Sequence, residues 1–173
     1  MPQRAMPDST SRFSNRVQDY IRYRPTYPKA ITDLLRTEAK LTPQSVIADI
    51  GSGTGFSSLL FLENGHTVYG VEPNGPMRLA AEKMLAGYAS FKSIDGTAEY
   101  TTLPDASVDV VFCAQAFHWF DREKTKTEFS RILRNNGGTV LVWNERDTRD
   151  PFTRAYSEAM AALIPEFTTT HRQ

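Results

Sequence analysis

From residue 46 onward, short runs rich in Val, Ile and Phe alternate with longer amphipathic stretches. The runs predict strands over 46–50, 66–72, 90–95, 108–114 and 139–144. The stretches between and after them predict helices over 56–63, 76–85, 122–133 and 151–163. Within "VDVVFCA" polar positions almost vanish, as in a strand covered on both faces. Asn64 and Gly65 end the first of these helices, where glycine suits a left-handed cap, and "RNNGG" stops the third. Upstream, Phe13, Val17, Tyr20 and Ile21 recur at helical spacing until the prolines of "YRPTYP" break the pattern. Pro28 then suits the first turn of a further helix with Ile31, Leu34 and Leu35 as its apolar stripe. Residues 1–11 have the small, polar, proline-interrupted composition of a disordered tail.

Repeated βα units with right-handed crossovers build an open, doubly wound, mostly parallel sheet with helices on both faces, a Rossmann-like α/β fold. Ligands of such sheets bind beyond the carboxyl ends of the strands. "DIGSGTG", residues 49–55, lies at such an end, and its glycines let a ligand approach bare peptide N–H groups. Glu72 ends the next strand, 21 residues beyond Gly51, the separation expected of an acid that binds both hydroxyls of a ribose. Together they point to a nucleoside-containing cofactor. A dinucleotide fingerprint would carry Gly or Ala where Phe56 stands, and a phosphate-binding loop would continue into Gly-Lys-Ser/Thr. The loop is therefore a poor phosphate cradle.

Charge and composition narrow the partners. Twenty Lys+Arg against twenty Asp+Glu leave no net charge, which speaks against duplex nucleic acid or an anionic membrane surface. The lone Cys113 excludes an internal disulfide and reads as a buried thiol in its apolar run. His66, His118 and His171 have no metal-ligand spacing with it, so no metal is expected. No leader-like segment opens the chain and no apolar run approaches a membrane span, which suits a soluble, cytoplasmic protein.

"VIADIGSGTGFSS" followed by "VYGVEPNGPM" resembles the first two signature motifs of class I S-adenosylmethionine-dependent methyltransferases. "DGTAEYTTLPDASVDVVFCAQAFHWFD" and "LRNNGGTVLVWNERD" extend the resemblance over roughly residues 12–150. "YRPTYP" with "AFHWF" is similar to the small-molecule branch that includes trans-aconitate methyltransferase-like proteins. The resemblance implies S-adenosyl-L-methionine as cofactor, a small-molecule methyl acceptor, and a tail and helical lid over 1–40 ahead of a cofactor-binding domain over 41–173. Gly51, Ser52 and Gly53 would pass under the methionine portion, with Asp49 anchoring the loop or the amino group. Glu72 would hold the ribose diol, and Pro73 and Met77 would pack beside the adenine. Thr97, Ala98 and Glu99 stand where the family contacts the adenine edge. Ala114 and Gln115 would meet the methionine moiety, and Tyr20, Arg24 and Tyr27 resemble the lid, whose arginine pairs with the cofactor carboxylate.

His118, between Phe117 and Trp119, is the candidate base for an alcohol, phenol or amine acceptor. For a carboxylate acceptor the three, with Tyr27, serve as pocket wall or substrate hydrogen-bonding groups. The family sheet has seven strands, of which this chain supplies five, so the two closing strands are expected to be missing. The sheet edge this leaves exposed favours self-association, a homo-oligomer. Two other readings share the glycine loop: a non-catalytic cofactor-binding or partner protein, and an NAD(P)-dependent oxidoreductase, which Phe56 disfavours.

Overall fold

The computed structural model describes residues 26–145 and 147–164. The predicted tail over 1–11 and the helix carrying Phe13, Val17, Tyr20 and Ile21 lie outside them. After helix α1 (Ala30–Glu38), strands and helices alternate: β1 (Val46–Ile50), α2 (Phe56–Leu62), β2 (Thr67–Val71), α3 (Gly75–Met84), β3 (Phe91–Ile94) and β4 (Val108–Ala114). A short 3-10 turn (Phe117–Trp119), α4 (Arg122–Ile132), β5 (Leu133–Val142) and α5 (Pro151–Leu163) follow. The chain divides into two compact units, residues 1–142 and 143–173.

The five strands stand in the order β3-β2-β1-β4-β5, all parallel, which is the predicted Rossmann-like architecture. The chain reverses direction across the sheet between β1 and β4, and the ends of β1, β2 and β4 meet there. Side chains alternate between two cores. Ile47, Leu60, Phe61, Val68 and Phe112 pack on one face together with Leu35 of α1. Ala48, Ile50, Val71, Val111, Phe129 and Ile132 pack on the other. Strands covered on both faces need nearly continuous apolar sequence, which is why β1 and β4 fall where the pattern predicts them.

Three expectations shift. Leu34 is 59% exposed; the buried face of α1 is Thr32 and Leu35, with Ile31 half-buried. Pro28 precedes that helix rather than entering it, and its carbonyl accepts the Ile31 N–H at 3.1 Å. β5 begins at Leu133, not 139, because "RNNGG" is a bulge inside the strand pairing. Val108 opposes Leu133, but Val110 already opposes Gly138. Asp109 anchors this irregularity by accepting from the Val46 N–H and from Arg134, each at 2.7 Å. A Cβ on Gly137 would lie 2.8 Å from the Asp109 carbonyl oxygen, so the bulge closes only around glycine.

Capping residues place the helix starts. Asn74, Asp121 and Asp150 each accept a backbone N–H from three residues on, opening α3, α4 and α5. On α4 the buried Glu128 receives the Thr101 N–H and hydroxyl at 2.7 and 2.6 Å, and Arg131 donates to both its oxygens. The Arg131 guanidinium, aided by Thr101, pulls the Glu128 carboxyl down to about 2. A depressed carboxylate contributes stability above its ordinary range and loses it as pH falls through the folded value. Glu128→Ala should cost about 2–4 kcal/mol in urea denaturation at neutral pH. It should also flatten the acid loss of stability between roughly pH 4.5 and 2. An unchanged midpoint would show that Glu128 does not hold the loop before β4.

Candidate cofactor site

The glycine loop is built as a tight hairpin of peptide groups at the mouth of the sheet. Gly51 and Ser52 donate their N–H groups to the Val71 carbonyl at 2.9 and 3.2 Å, tying the loop to the end of β2. The glycines at 51 and 53 are required for different reasons. Gly51 (φ +69°) lies against the segment after β4, and a Cβ there would come within 2.6 Å of the Ala116 Cβ. Gly53 (φ +56°) faces open space, with nothing within 4 Å of an added Cβ. The first serves packing; the second leaves bare backbone for a ligand to cover.

Glu72 organises this backbone. Its Oε2 accepts the Gly53 N–H at 2.9 Å and its Oε1 the Asn74 N–H at 2.8 Å. Burial pushes its carboxyl upward, against those two bonds and the positive charge of Arg78. Arg78 donates to the Glu72 carbonyl at 2.8 Å and pairs with Asp95 at 2.9 Å, so α3 is fastened to the same corner. Each carboxylate oxygen retains acceptor capacity for a ribose hydroxyl.

Beneath the loop Asp49 is fully buried. Its Oδ2 accepts from the Ser57 and Ser58 hydroxyls at 2.6 and 2.7 Å, and its Oδ1 has no partner among the described residues. Burial pushes this carboxyl up to about 6; the two serines oppose the rise and the nearby Glu72 charge adds to it. The Thr54 hydroxyl, 1% exposed, likewise has no partner among the described residues. Tyr27, Ser52, Thr54, Ser57 and Ala114 line a cavity of about 10 Å³ beside it, room for about one water.

The other candidate residues divide between open and structural positions. Met77 is buried on α3, its N–H capped by the Asn74 side chain at 3.0 Å, and Pro73 is half-buried next to Glu72. Thr97 closes a turn with Tyr100, Ala98 belongs to the second core, and Glu99 accepts the Asp121 N–H at 2.9 Å at the start of α4. Ala114 ends β4, and Gln115 (φ +61°) turns the chain while donating its N–H to the Val142 carbonyl. That turn presents Phe117, His118 and Trp119 half-buried on the 3-10 turn, with the His118 and Trp119 rings 4.8 Å apart. Tyr27 is buried in the first core. Tyr20 and Arg24 lie outside the described residues.

Sequence reasoning missed Thr54, Ser57, Ser58 and Asn74. The available signal was "FSS", two hydroxyls on the buried side of a short helix, eight and nine residues after the aspartate next to the end of β1. Among the described residues no group of His, Cys, Asp and Glu is arranged to hold a metal, and no helix is long and apolar enough to cross a membrane. Open backbone at Gly53, a diol-competent Glu72 and two buried polar atoms left over fit an adenosyl cofactor carrying an amino-acid tail.

Residues 48–141 match the family described as "Methyltransferase domain". An uncharacterized methyltransferase-like protein of Schizosaccharomyces pombe is 35% identical over 152 residues, 86% of this chain and 57% of that protein. An uncharacterized methyltransferase of Mycobacterium bovis is 34% identical over 175 residues, 95% of this chain and 69% of that protein. Among solved structures, a candidate S-adenosyl-L-methionine-dependent methyltransferase of Methanococcus maripaludis superposes with a TM-score of 0.72 at 18% identity, covering 99% of this chain and 80% of that one. The chain thus spans between about half and two-thirds of the length of these two curated relatives. Fold, loop and relatives agree: this chain belongs to the class I methyltransferases, the family whose cofactor is S-adenosyl-L-methionine.

Proposed function

We propose that this protein transfers a methyl group from S-adenosyl-L-methionine to a small-molecule acceptor, as a soluble cytoplasmic enzyme of the trans-aconitate methyltransferase-like branch. The observation that carries the reading is the Glu72 carboxylate, fixed by the Gly53 and Asn74 N–H groups at the rim of an open glycine loop. Gly51, Ser52 and Gly53 underlie the methionine portion, with Ala114 and Gln115 beside it. Pro73 and Met77 flank the adenine, and the turn carrying Thr97, Ala98 and Glu99 borders its edge. Asp49 serves the amino group. Tyr20 and Arg24 complete a lid over the carboxylate.

When bound, the cofactor supplies an electrophilic methyl carbon on a sulfonium whose departure leaves a neutral thioether. What this chain contributes is alignment and exclusion of water, which together supply several kcal/mol of a displacement barrier. Phe117 and Trp119 form the wall of the acceptor pocket and Tyr27 its floor. His118 takes the proton from a hydroxyl or amine nucleophile. With an acceptor of that kind, His118→Gln should lower kcat at least tenfold with little change in cofactor affinity and abolish the acidic limb of the kcat profile. Equal loss at all pH values would make His118 a wall residue only.

A second reading, a cofactor-binding protein without turnover of its own, rests on the same Glu72 and glycine-loop geometry, which suits an adenosyl group whether or not an acceptor follows. Calorimetric titration with S-adenosylmethionine, S-adenosylhomocysteine and NAD, followed by an acceptor screen, separates the readings. Both adenosyl ligands should bind and NAD should not, and Glu72→Ala should weaken adenosyl binding by about 1.5–3 kcal/mol, roughly ten- to a hundredfold. Preference for NAD would overturn the proposal, and adenosyl binding with no turnover on any acceptor would favour the second reading.

A further inference from the structure

At the end of the sheet opposite the cofactor rim, the connection from α1 to β1 and the irregular start of β5 enclose a cavity of about 510 Å³. That size falls within the usual range of small-molecule sites. Both walls depart from regular backbone. On one side Lys40 takes φ +50°, the left-handed position just after a helix where glycine is usual. The Leu41 N–H closes that turn onto the Leu35 carbonyl at 3.1 Å, and the Ser45 hydroxyl accepts the Thr42 N–H at 2.9 Å. On the other side β5 sets four residues, 134–137, against the single Asp109 of β4. A bulge re-aims the side chains it carries, and here Arg134, Asn135 and Asn136 line the cavity. Asp109 fixes the walls to each other, since one oxygen accepts both the Val46 N–H and Arg134.

The chemistry of the lining selects the occupant. Lys40 and Arg134 against Asp109 leave one net positive charge around the cavity. Arg134 reaches Asp109 through Nη1, which leaves the rest of its guanidinium fork available. The side chains of Lys40, Gln44, Asn135 and Asn136 make no hydrogen bond or ion pair among the described residues. Such a lining repels a cation and gains little from an apolar molecule. We propose that this cavity is a second small-molecule site, separate from the cofactor rim, and that it takes a hydroxylated anion, a sugar phosphate or a sugar acid. Lys40 and Arg134 hold the phosphate or carboxylate, the guanidinium by its planar fork. The amides of Gln44, Asn135 and Asn136 both donate and accept, and they bond the hydroxyls. The cavity lies at the amino ends of β1 and β4, whereas the glycine loop and Glu72 lie at the carboxyl ends, so the two ligands do not compete. The inference stands without the adenosyl reading.

Amide NMR spectra of the full chain, titrated separately with ribose 5-phosphate, gluconate and uncharged ribose, test the proposal. Saturable shifts should appear with one or both anions at residues 40–45 and 134–137, while Gly53 and Glu72 do not move. Ribose at the same concentration should leave all of these amides in place. The anion that binds more tightly identifies which acidic group the site prefers. Lys40→Gln should weaken that anion about tenfold, the share of one charge-assisted bond. Asn136→Ala, on the exposed bulge, should weaken it a few-fold. Both variants should keep the dispersed spectrum of the unsubstituted protein, so that lost affinity is not lost folding. Four results overturn the inference: no saturable shift with either anion, equal binding of ribose, shifts confined to the cofactor rim, or an affinity that neither variant changes.

Discussion

One carboxylate holds the working end of this sheet together. Glu72 accepts the Gly53 N–H through one oxygen and the Asn74 N–H through the other, so a single side chain ties the loop after β1 to the turn after β2. Charge-assisted bonds of this kind contribute about 1.5–3 kcal/mol each, enough to fix a loop that glycine would otherwise leave loose. Its neighbours extend the tie. Asn74 also caps α3 through the Met77 N–H, and Arg78 returns from α3 to the Glu72 carbonyl. Gly51 must come close to Ala116 for the loop after β4 to meet the same corner. Three strand ends thus converge on one rigid rim, with the half-buried aromatic turn Phe117–Trp119 following directly from it.

The cost of this arrangement is negative charge in a buried place. Asp49 and Glu72 both have carboxyls pushed upward by burial, and the nearby Glu72 charge makes Asp49 harder still to ionise. Hydrogen bonds from Ser57, Ser58, Gly53 and Asn74 offset part of the penalty without removing it. A fold selected for stability alone would place apolar side chains there. The retained strain makes sense in a site whose partner is cationic and hydroxyl-rich, as a sulfonium nucleoside with an amino-acid tail is.

How much of this was legible in the sequence depended on the range of the interaction. β1 and β4 were plain because strands buried on two faces write an unbroken apolar run into the chain. The glycines and Glu72 were plain because two consecutive strand ends impose a nearly fixed separation along the chain. α1 was misread at Leu34, since a stripe of aliphatic residues does not reveal that Thr32 turns inward and bonds the Lys29 carbonyl. "RNNGG" was read as a stop, because a bulge depends on its partner strand, here through Asp109. Ser57 and Ser58 were invisible for a related reason: serine in a helix is ordinarily unremarked, and only the fold brings Asp49 to its hydroxyls.

The central claim is that the rim is built before the cofactor arrives and holds the nucleoside by its ribose. A crystal structure of the S-adenosylhomocysteine complex tests it most directly. The account predicts that Glu72 keeps its bonds to the Gly53 and Asn74 N–H groups while its remaining acceptor positions take the two ribose hydroxyls. An adenosyl group bound elsewhere, or a Glu72 side chain that abandons the loop to reach it, would contradict the account.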